Sequence, residues 1–283
     1  MSFLPPGSVY NAAGCRCTTI SDLDALLHSK SDAILTKSCT LLPRAGNPHP
    51  KYYDDGTQSI NSNGLENLGY KAYLDWYTEH RPEKPFILSV AGLCVRDNIT
   101  IINAAQQAGV SAIELNLSCP NLCGVPVSYD LPEFNSTLQA IMAGIEEGSI
   151  PLGLKLPVYC NPKELEQVAV IVAMIPRISF IVCSNSLPNG LVYEDGSSRP
   201  DGENHPVVSR TLGGCGGGPL MKAIVLGQVY QFRKCLSKTI IACGGLSSRS
   251  DIRDALRAGA NHCQIGTALM VHGTELFNEL CCT

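Results

Sequence analysis

The sequence predicts an α/β protein folded as a (β/α)8 barrel, and three observations carry that expectation. Eight apolar runs rich in β-branched residues recur along the 283-residue chain, amphipathic helical stripes fall between them, and Gly-containing turns follow the last two runs. The runs cover residues 8–13, 32–40, 85–91, 111–118, 151–158, 178–184, 238–243 and 262–268. Ile240-Ile241-Ala242-Cys243 is apolar at every position, as expected of a parallel strand covered on both faces.

The helix signals are local. Ser21 followed by Asp24 reads as a capping box ahead of Leu26 and Leu27. Asn161-Pro162 reads as an N-cap with proline at the first helical position, and Leu165, Val168, Ala169 and Val172 then share one face. Phe134, Leu138, Ile141 and Ile145 form a similar stripe. Ser250 opens a helix that Gly259 closes, and a last helix starts near Thr274. Alternation of this kind favours a TIM-type barrel in a single domain, residues 1–283, over a doubly wound sheet. Residues 187–210 read as one long irregular loop.

Composition narrows the function classes. A net charge of −4 gives no reason to expect nucleic acid or an anionic membrane surface. No apolar run reaches the ~20 residues of a membrane helix, and residues 1–7 lack a secretory pattern. The 14 cysteines include no CxxC pair and no zinc-type spacing with histidine; several, such as Cys183, Cys243 and Cys263, read as small buried hydrophobes, and the chain as one of a reducing, cytoplasmic compartment with no structural metal.

In such barrels the reacting groups sit at the C-terminal ends of the strands. Those ends carry Asn11-Ala12-Ala13-Gly14, Lys37-Ser38, Asn116 through Asn121, Lys155, Ser184-Asn185-Ser186, Cys243-Gly244-Gly245 and Gly266-Thr267. Two lysines and several asparagines thus converge on one rim. Glycine turns there suit an anion, because backbone N–H groups approach closely only where no Cβ intervenes. The run Gly213 through Gly218, ahead of a helix near Pro219, reads as a further anion-binding turn.

The segment Glu114-Leu115-Asn116-Leu117-Ser118-Cys119-Pro120-Asn121 resembles the active-site loop of dihydroorotate dehydrogenases, in particular the soluble, fumarate-linked class (class 1A). Other pieces agree in order: Lys37-Ser38-Cys39-Thr40, Gly46-Asn47-Pro48, Ser59-Ile60-Asn61-Ser62, Gly64-Leu65, Lys155-Leu156-Pro157 and Asn189-Gly190-Leu191. The resemblance spans residues 8–275, and cysteine rather than serine at position 119 points to the soluble classes.

What the resemblance implies is specific. The fold would be the FMN-binding barrel, and the reaction would be oxidation of (S)-dihydroorotate to orotate in UMP biosynthesis, with fumarate as acceptor. Cys119 would be the base that removes the C5 proton, with Lys37 beside it. Ala12, Ala13, Gly14, Lys37, Ser38, Asn116, Lys155, Ser184, Gly213, Gly214, Cys243, Gly244, Gly245, Gly266 and Thr267 would hold FMN. Lys37, Asn61, Asn63, Gly64, Leu65, Asn116, Asn121, Asn185 and Ser186 would hold the substrate, asparagine offering donor and acceptor to a ring of alternating N–H and C=O groups. A homodimer is expected.

The chain departs from the family pattern at three places. Asn63 stands where the family carries methionine, Glu66 where it carries proline, and the loop after Asn121 is shorter. The barrel is also expected to be short at its C-terminal end, so that the last helix leaves its base open. Two further readings stay beside the first: a flavin enzyme acting on another dihydropyrimidine or on dihydrouridine, and a non-catalytic paralogue.

Overall fold

The computed structural model describes residues 3–119, 126–194, 205–209 and 212–281. In chain order its elements are β1 (Val9–Asn11), α1 (Ile20–His28), β2 (Ile34–Leu35), β3 (Tyr52–Asp54), β4 (Gln58–Asn61), α2 (Tyr70–His80), β5 (Phe86–Val90), α3 (Val95–Ala108), β6 (Ala112–Asn116), α4 (Leu131–Gly144), β7 (Leu152–Leu156) and α5 (Pro162–Ala173). There follow β8 (Ile178–Cys183), β9 (Leu187–Gly190), β10 (Gly213–Gly217), α6 (Gly218–Cys235), β11 (Thr239–Cys243), α7 (Arg249–Ala258), β12 (His262–Ile265), α8 (Thr267–His272) and α9 (Leu276–Leu280).

Eight parallel strands pair in the order β1-β12-β11-β8-β7-β6-β5-β2, the (β/α)8 barrel read from the sequence. Each expected run contains one strand, trimmed at its ends. The run 32–40 pairs only at Ile34–Leu35, with Cys39 rejoining Val90 by an isolated bridge. The run 262–268 stops at Ile265, because Thr267 already starts α8.

The ladder ends at β1 on one side and β2 on the other, and side chains close the gap. Leu35 N donates to Asn11 Oδ1 at 3.0 Å, and Asn11 Nδ2 donates to Leu35 O at 2.6 Å. Asp32 does the same one turn of pleat below, with Val9 N donating to its Oδ2 at 2.7 Å and its own N–H donating to Val9 O. The interior is filled by Leu4, Tyr10, Leu35, Ile87, Phe180, Val182 and Ile241, all buried. At the base Phe3 packs on Phe180 with ring centroids 4.9 Å apart, and α9 buries Leu276, Phe277 and Leu280 in the outer core. The N-terminal segment therefore fills the floor that was expected to stay open.

Two helix starts differ from expectation. Thr19 caps α1, accepting from Asp22 N at 3.1 Å while Thr19 N donates to Asp22 Oδ2 at 2.8 Å. Ser21 lies inside the helix, and Asp24 instead accepts from Trp76 Nε1 at 2.8 Å. Ser248, not Ser250, caps α7 with Asp251 as its reciprocal partner. Gly259 closes α7 at φ +111°, and Asn161-Pro162 opens α5 over the expected buried face.

A second sheet was not expected. β3, β4, β10 and β9 form four antiparallel strands, in the order β3-β4-β10-β9, from the segments that follow β2 and β8. Gly213 and Gly214 are therefore strand residues, and the glycine run meets the N-terminus of α6 only at Gly217 and Gly218. The reason is packing: a Cβ on Gly213 would lie 2.7 Å from Asn61 O and 2.8 Å from Ile60 Cγ1. Residues 187–190 of the expected loop are β9, and positions 195–204 and 210–211 lie outside the described residues.

Candidate active site

The C-terminal ends of the barrel strands and the inner face of the small sheet enclose a cavity of about 540 Å³. That is the size of a cofactor or small-molecule site. Its wall includes Ala12, Ala13, Gly14, Lys37, Ser38, Asn61, Asn63, Leu65, Asn116, Cys119, Lys155, Ser184, Asn185, Ser186, Cys243, Gly244, Gly245, Gly266 and Thr267. Asn121 falls outside the described residues. Gly213, Gly214 and Gly64 are not on this wall: Gly216 and Gly217 reach it from β10, while Gly64 (φ +65°) backs onto Asn47.

β6 ends in Asn116, and the polar groups that follow it are tied together. Asn116 Nδ2 donates to Ser38 Oγ at 3.0 Å, and Asn116 Oδ1 accepts from Ser118 N at 3.1 Å. Asn185 Nδ2 donates to Ser118 Oγ at 3.0 Å and to Ser118 O at 3.1 Å. Ser118 Oγ donates in turn to Lys155 O at 2.9 Å. Ser118 thus sets the rotamers of both asparagines one residue before the half-buried Cys119. The sequence reading quoted Ser118 only as part of a motif; its position between two site residues was the available signal.

The two lysines are held differently. A Cβ on Gly14 would lie 2.8 Å from Lys37 Nζ, so glycine at φ +95° gives the Lys37 ammonium its place on the wall. Lys155 Nζ donates to Gln264 Oε1 at 2.9 Å inside the barrel. Burial opposes the charge on Lys155, but Cys243 and Glu114 face it and reverse the balance, holding its pKa above the ordinary range. Glu114 is also fully buried; burial pushes its carboxyl up, and Lys155 and Gln264 offset only part of that. Glu114 and Gln264 were readable as polar residues in apolar strands, but nothing local identified their partners.

Other wall residues were not anticipated. Cys15, Arg16, Tyr52, Ser59 and Met221 all line the cavity, as does Glu66, which the sequence marks only as a departure from the family pattern. Burial raises the Cys15 thiol to about 11. Ser59 and Thr267 share a hydrogen bond of 2.7 Å, which joins the small sheet to the turn after β12.

The wall suits a flat, anionic cofactor. Ser184 Oγ is buried against the cavity without a protein partner. Gly266 is on the same wall, and a Cβ there would make only ordinary contacts, with Cys15 Sγ at 3.8 Å and Ala12 Cβ at 3.9 Å. Among the described residues no cluster of three or more His, Cys, Asp or Glu is placed to hold a metal, and no helix is long and apolar enough to cross a membrane.

Residues 5–282 match the family model described as dihydroorotate dehydrogenase. The chain belongs to the dihydroorotate dehydrogenase family. It is 38% identical over 280 residues to the dihydroorotate dehydrogenase (fumarate) of Trypanosoma cruzi, covering 95% of this chain and 86% of that protein. It is 36% identical over 280 residues to dihydroorotate dehydrogenase A (fumarate) of Lactococcus lactis, with the same coverage. A solved Eimeria tenella DHODH in complex with ferulenol superposes with a TM-score of 0.75 over 96% of this chain and 79% of that one. At 17% identity that likeness speaks to the fold, and it is the barrel of a dihydroorotate dehydrogenase.

Proposed function

We propose that this protein is an FMN-dependent dihydroorotate dehydrogenase that oxidises (S)-dihydroorotate to orotate in UMP biosynthesis and passes the electrons to fumarate. The observation that carries the reading is one cavity lined by Cys119, Asn116, Asn185, Lys37 and Lys155. Relatives named for this activity, at 36–38% identity over nearly the whole chain, support it.

FMN, when bound, supplies the two-electron acceptor for the hydride that leaves C6. Ala12–Gly14, Ser38, Ser184, Cys243–Gly245 and Gly266–Thr267 would hold it, with Gly216 and Gly217 in place of Gly213 and Gly214. Lys37 and Lys155, both buried, contribute positive charge to the cavity wall, where it stabilises negative charge on the bound groups. Asn61, Asn116 and Asn185 bind the amide and carboxylate groups of the substrate, already oriented by Gly214 O, Ser38 and Ser118. Asn63, Leu65 and Ser186 complete the substrate pocket. Cys119 Sγ takes the proton from C5. An ordinary thiol has a pKa of about 8.5, so its base form grows through the neutral-to-alkaline range.

A cytoplasmic homodimer is part of this proposal, as it is for the class the sequence resembles. The test is spectroscopic: the purified protein carries yellow FMN, dihydroorotate bleaches it without oxygen, and fumarate restores it. Asn63 and Glu66 add polarity to the cavity wall and favour a second reading, an enzyme for a different dihydropyrimidine. Bleaching by dihydrouracil and not by dihydroorotate selects that one.

A further inference from the structure

Glu66 lies on the cavity wall, on the loop that follows Asn61 and carries Asn63 and Leu65, and its side chain is 41% exposed. Its carboxylate is not free to swing away. Glu66 Oε2 sits 3.1 Å from Lys51 Nζ, and that ammonium, itself only 7% exposed, is fixed by donating to Ala45 O at 2.7 Å. The loop beneath is pinned as well. Asn47 N donates to Asn63 O at 3.1 Å, Asn47 Nδ2 donates to Ser62 O at 2.6 Å, and a Cβ on Gly46 would lie 2.9 Å from Glu66 Cβ. The other charged side chains on this wall are Lys37, Lys155, Arg16 and Asp22.

Resting on the reading above, two anions use this pocket in turn: dihydroorotate with one negative charge and fumarate with two. Lys37 and Lys155 attract both. We propose that Glu66 is a specificity-determining residue, a fixed carboxylate that holds back the dianionic oxidant relative to the monoanionic substrate and product. Repulsion from one fixed charge scales with the charge of the ligand, so it acts about twice as strongly on the dianion. Discrimination by a placed repulsive group needs no loss of contacts to the favoured ligand. Lys51 tempers the repulsion and keeps the carboxylate in place.

The test is calorimetric titration of the oxidised FMN holoenzyme with orotate and, separately, with fumarate. For Glu66→Gln the affinity for fumarate rises by about 3–10-fold, and the logarithm of the change for orotate is about half as large. Glu66→Asp, which keeps the charge, retains the wild-type ratio. Because Glu66→Gln leaves the Lys51 ammonium buried without its counter-charge, Lys51→Met/Glu66→Gln is measured beside it, and its ratio moves the same way. A purely structural role shifts both affinities together and leaves their ratio unchanged, which overturns the proposal. Dihydroorotate bleaching with an unmoved ratio sinks this inference alone. Failure of bleaching, with neither ligand binding, sinks the dihydroorotate reading and this inference with it.

Discussion

Lys155 and Gln264 meet inside the barrel, 109 residues apart in sequence, with Lys155 Nζ donating to Gln264 Oε1 at 2.9 Å. The other end of the same amide donates to Glu114 Oε2 at 2.6 Å. An amide has one acceptor end and one donor end, so an ammonium on one side and a carboxyl on the other leave it a single orientation. Glu114 Oε1 is buried with no partner of its own. The ammonium therefore stands at the cavity wall with Cys243 and Gln264 as hydrogen-bond neighbours and a carboxyl behind the Gln264 amide.

An ammonium held this way favours negative charge arriving in the cavity. Lys155→Met should make the midpoint potential of bound FMN more negative, by about 30 mV or more, the equivalent of a tenfold change for a two-electron couple. Spectroelectrochemical titration of the variant measures it. An unchanged potential in a folded, FMN-loaded variant removes Lys155 from the role.

Asn11 replaces backbone pairing at the barrel seam. Asn11→Ala strips Leu35 of the partners for its N–H and its carbonyl at a fully buried place. A buried unsatisfied group costs roughly 1–3 kcal/mol, so the variant, with two such groups, should lose about 2–6 kcal/mol. The urea midpoint should fall without a change in slope. A variant as stable as the parent shows that the seam is held by Asp32 and packing alone.

The contrast between the two sheets explains what could be read in advance. The barrel strands were legible because strands covered on both faces are predominantly apolar, as in Ile240 through Cys243 of β11. The small sheet was not, because β10 is Gly213-Gly214-Cys215-Gly216-Gly217 and has almost no side-chain pattern. Gly213 answers to the approach of Ile60 and Asn61, partners about 150 positions away in the chain, and Gly217 to that of Thr57 and Thr267. The α1 cap shows a finer limit: Thr19–Asp22 and Ser21–Asp24 carry the same spacing, and only the Trp76 indole claiming Asp24 decides between them. The cavity-wall residues at strand ends were legible from topology. The Lys51–Glu66 pair was not, since it depends on how two loops cross.

His262 makes stability depend on pH. It is 2% exposed, its ring lies 6.5 Å from that of Phe3, and its Nδ1 has no protein partner. Burial lowers its pKa from 6.5 to about 4. Below pH 6.5 the unfolded chain therefore binds a proton that the folded protein refuses, so stability falls as pH drops from about 6.5 toward 4. Asp251, lowered to about 2 because the Lys222 ammonium and the Ser247 and Ser248 groups outweigh burial, acts at more acid pH and only as its own carboxylate is protonated. His262→Gln should flatten the melting-temperature profile between pH 4 and 6.5. If the slope there survives the substitution, another group causes it.

Cys119 carries the proposed chemistry, and its surroundings define the test. It follows Ser118, whose hydroxyl and carbonyl both receive Asn185 Nδ2, so the chain entering Cys119 is fixed at two points. Lys37, Lys155, Asn116 and Asn185 share its cavity, and all of them remain in a serine variant. Cys119→Ser should therefore keep the fold and the FMN and change only the group that accepts the C5 proton. A serine hydroxyl is far less acidic than a thiol and supplies little base at neutral pH. Loss of general-base help is typically worth 10²–10⁴-fold, so flavin reduction by dihydroorotate should slow by about 10²-fold or more at pH 7. Raising the pH should recover part of the loss. In the parent protein the same rate should rise with pH through one ionisation, that of the thiol. Rapid mixing under anaerobic conditions, followed at the flavin absorbance, reads both profiles. A serine variant that bleaches as fast as the parent at pH 7 ends the assignment of Cys119 as the base, whatever the flavin and the fold then prove to be.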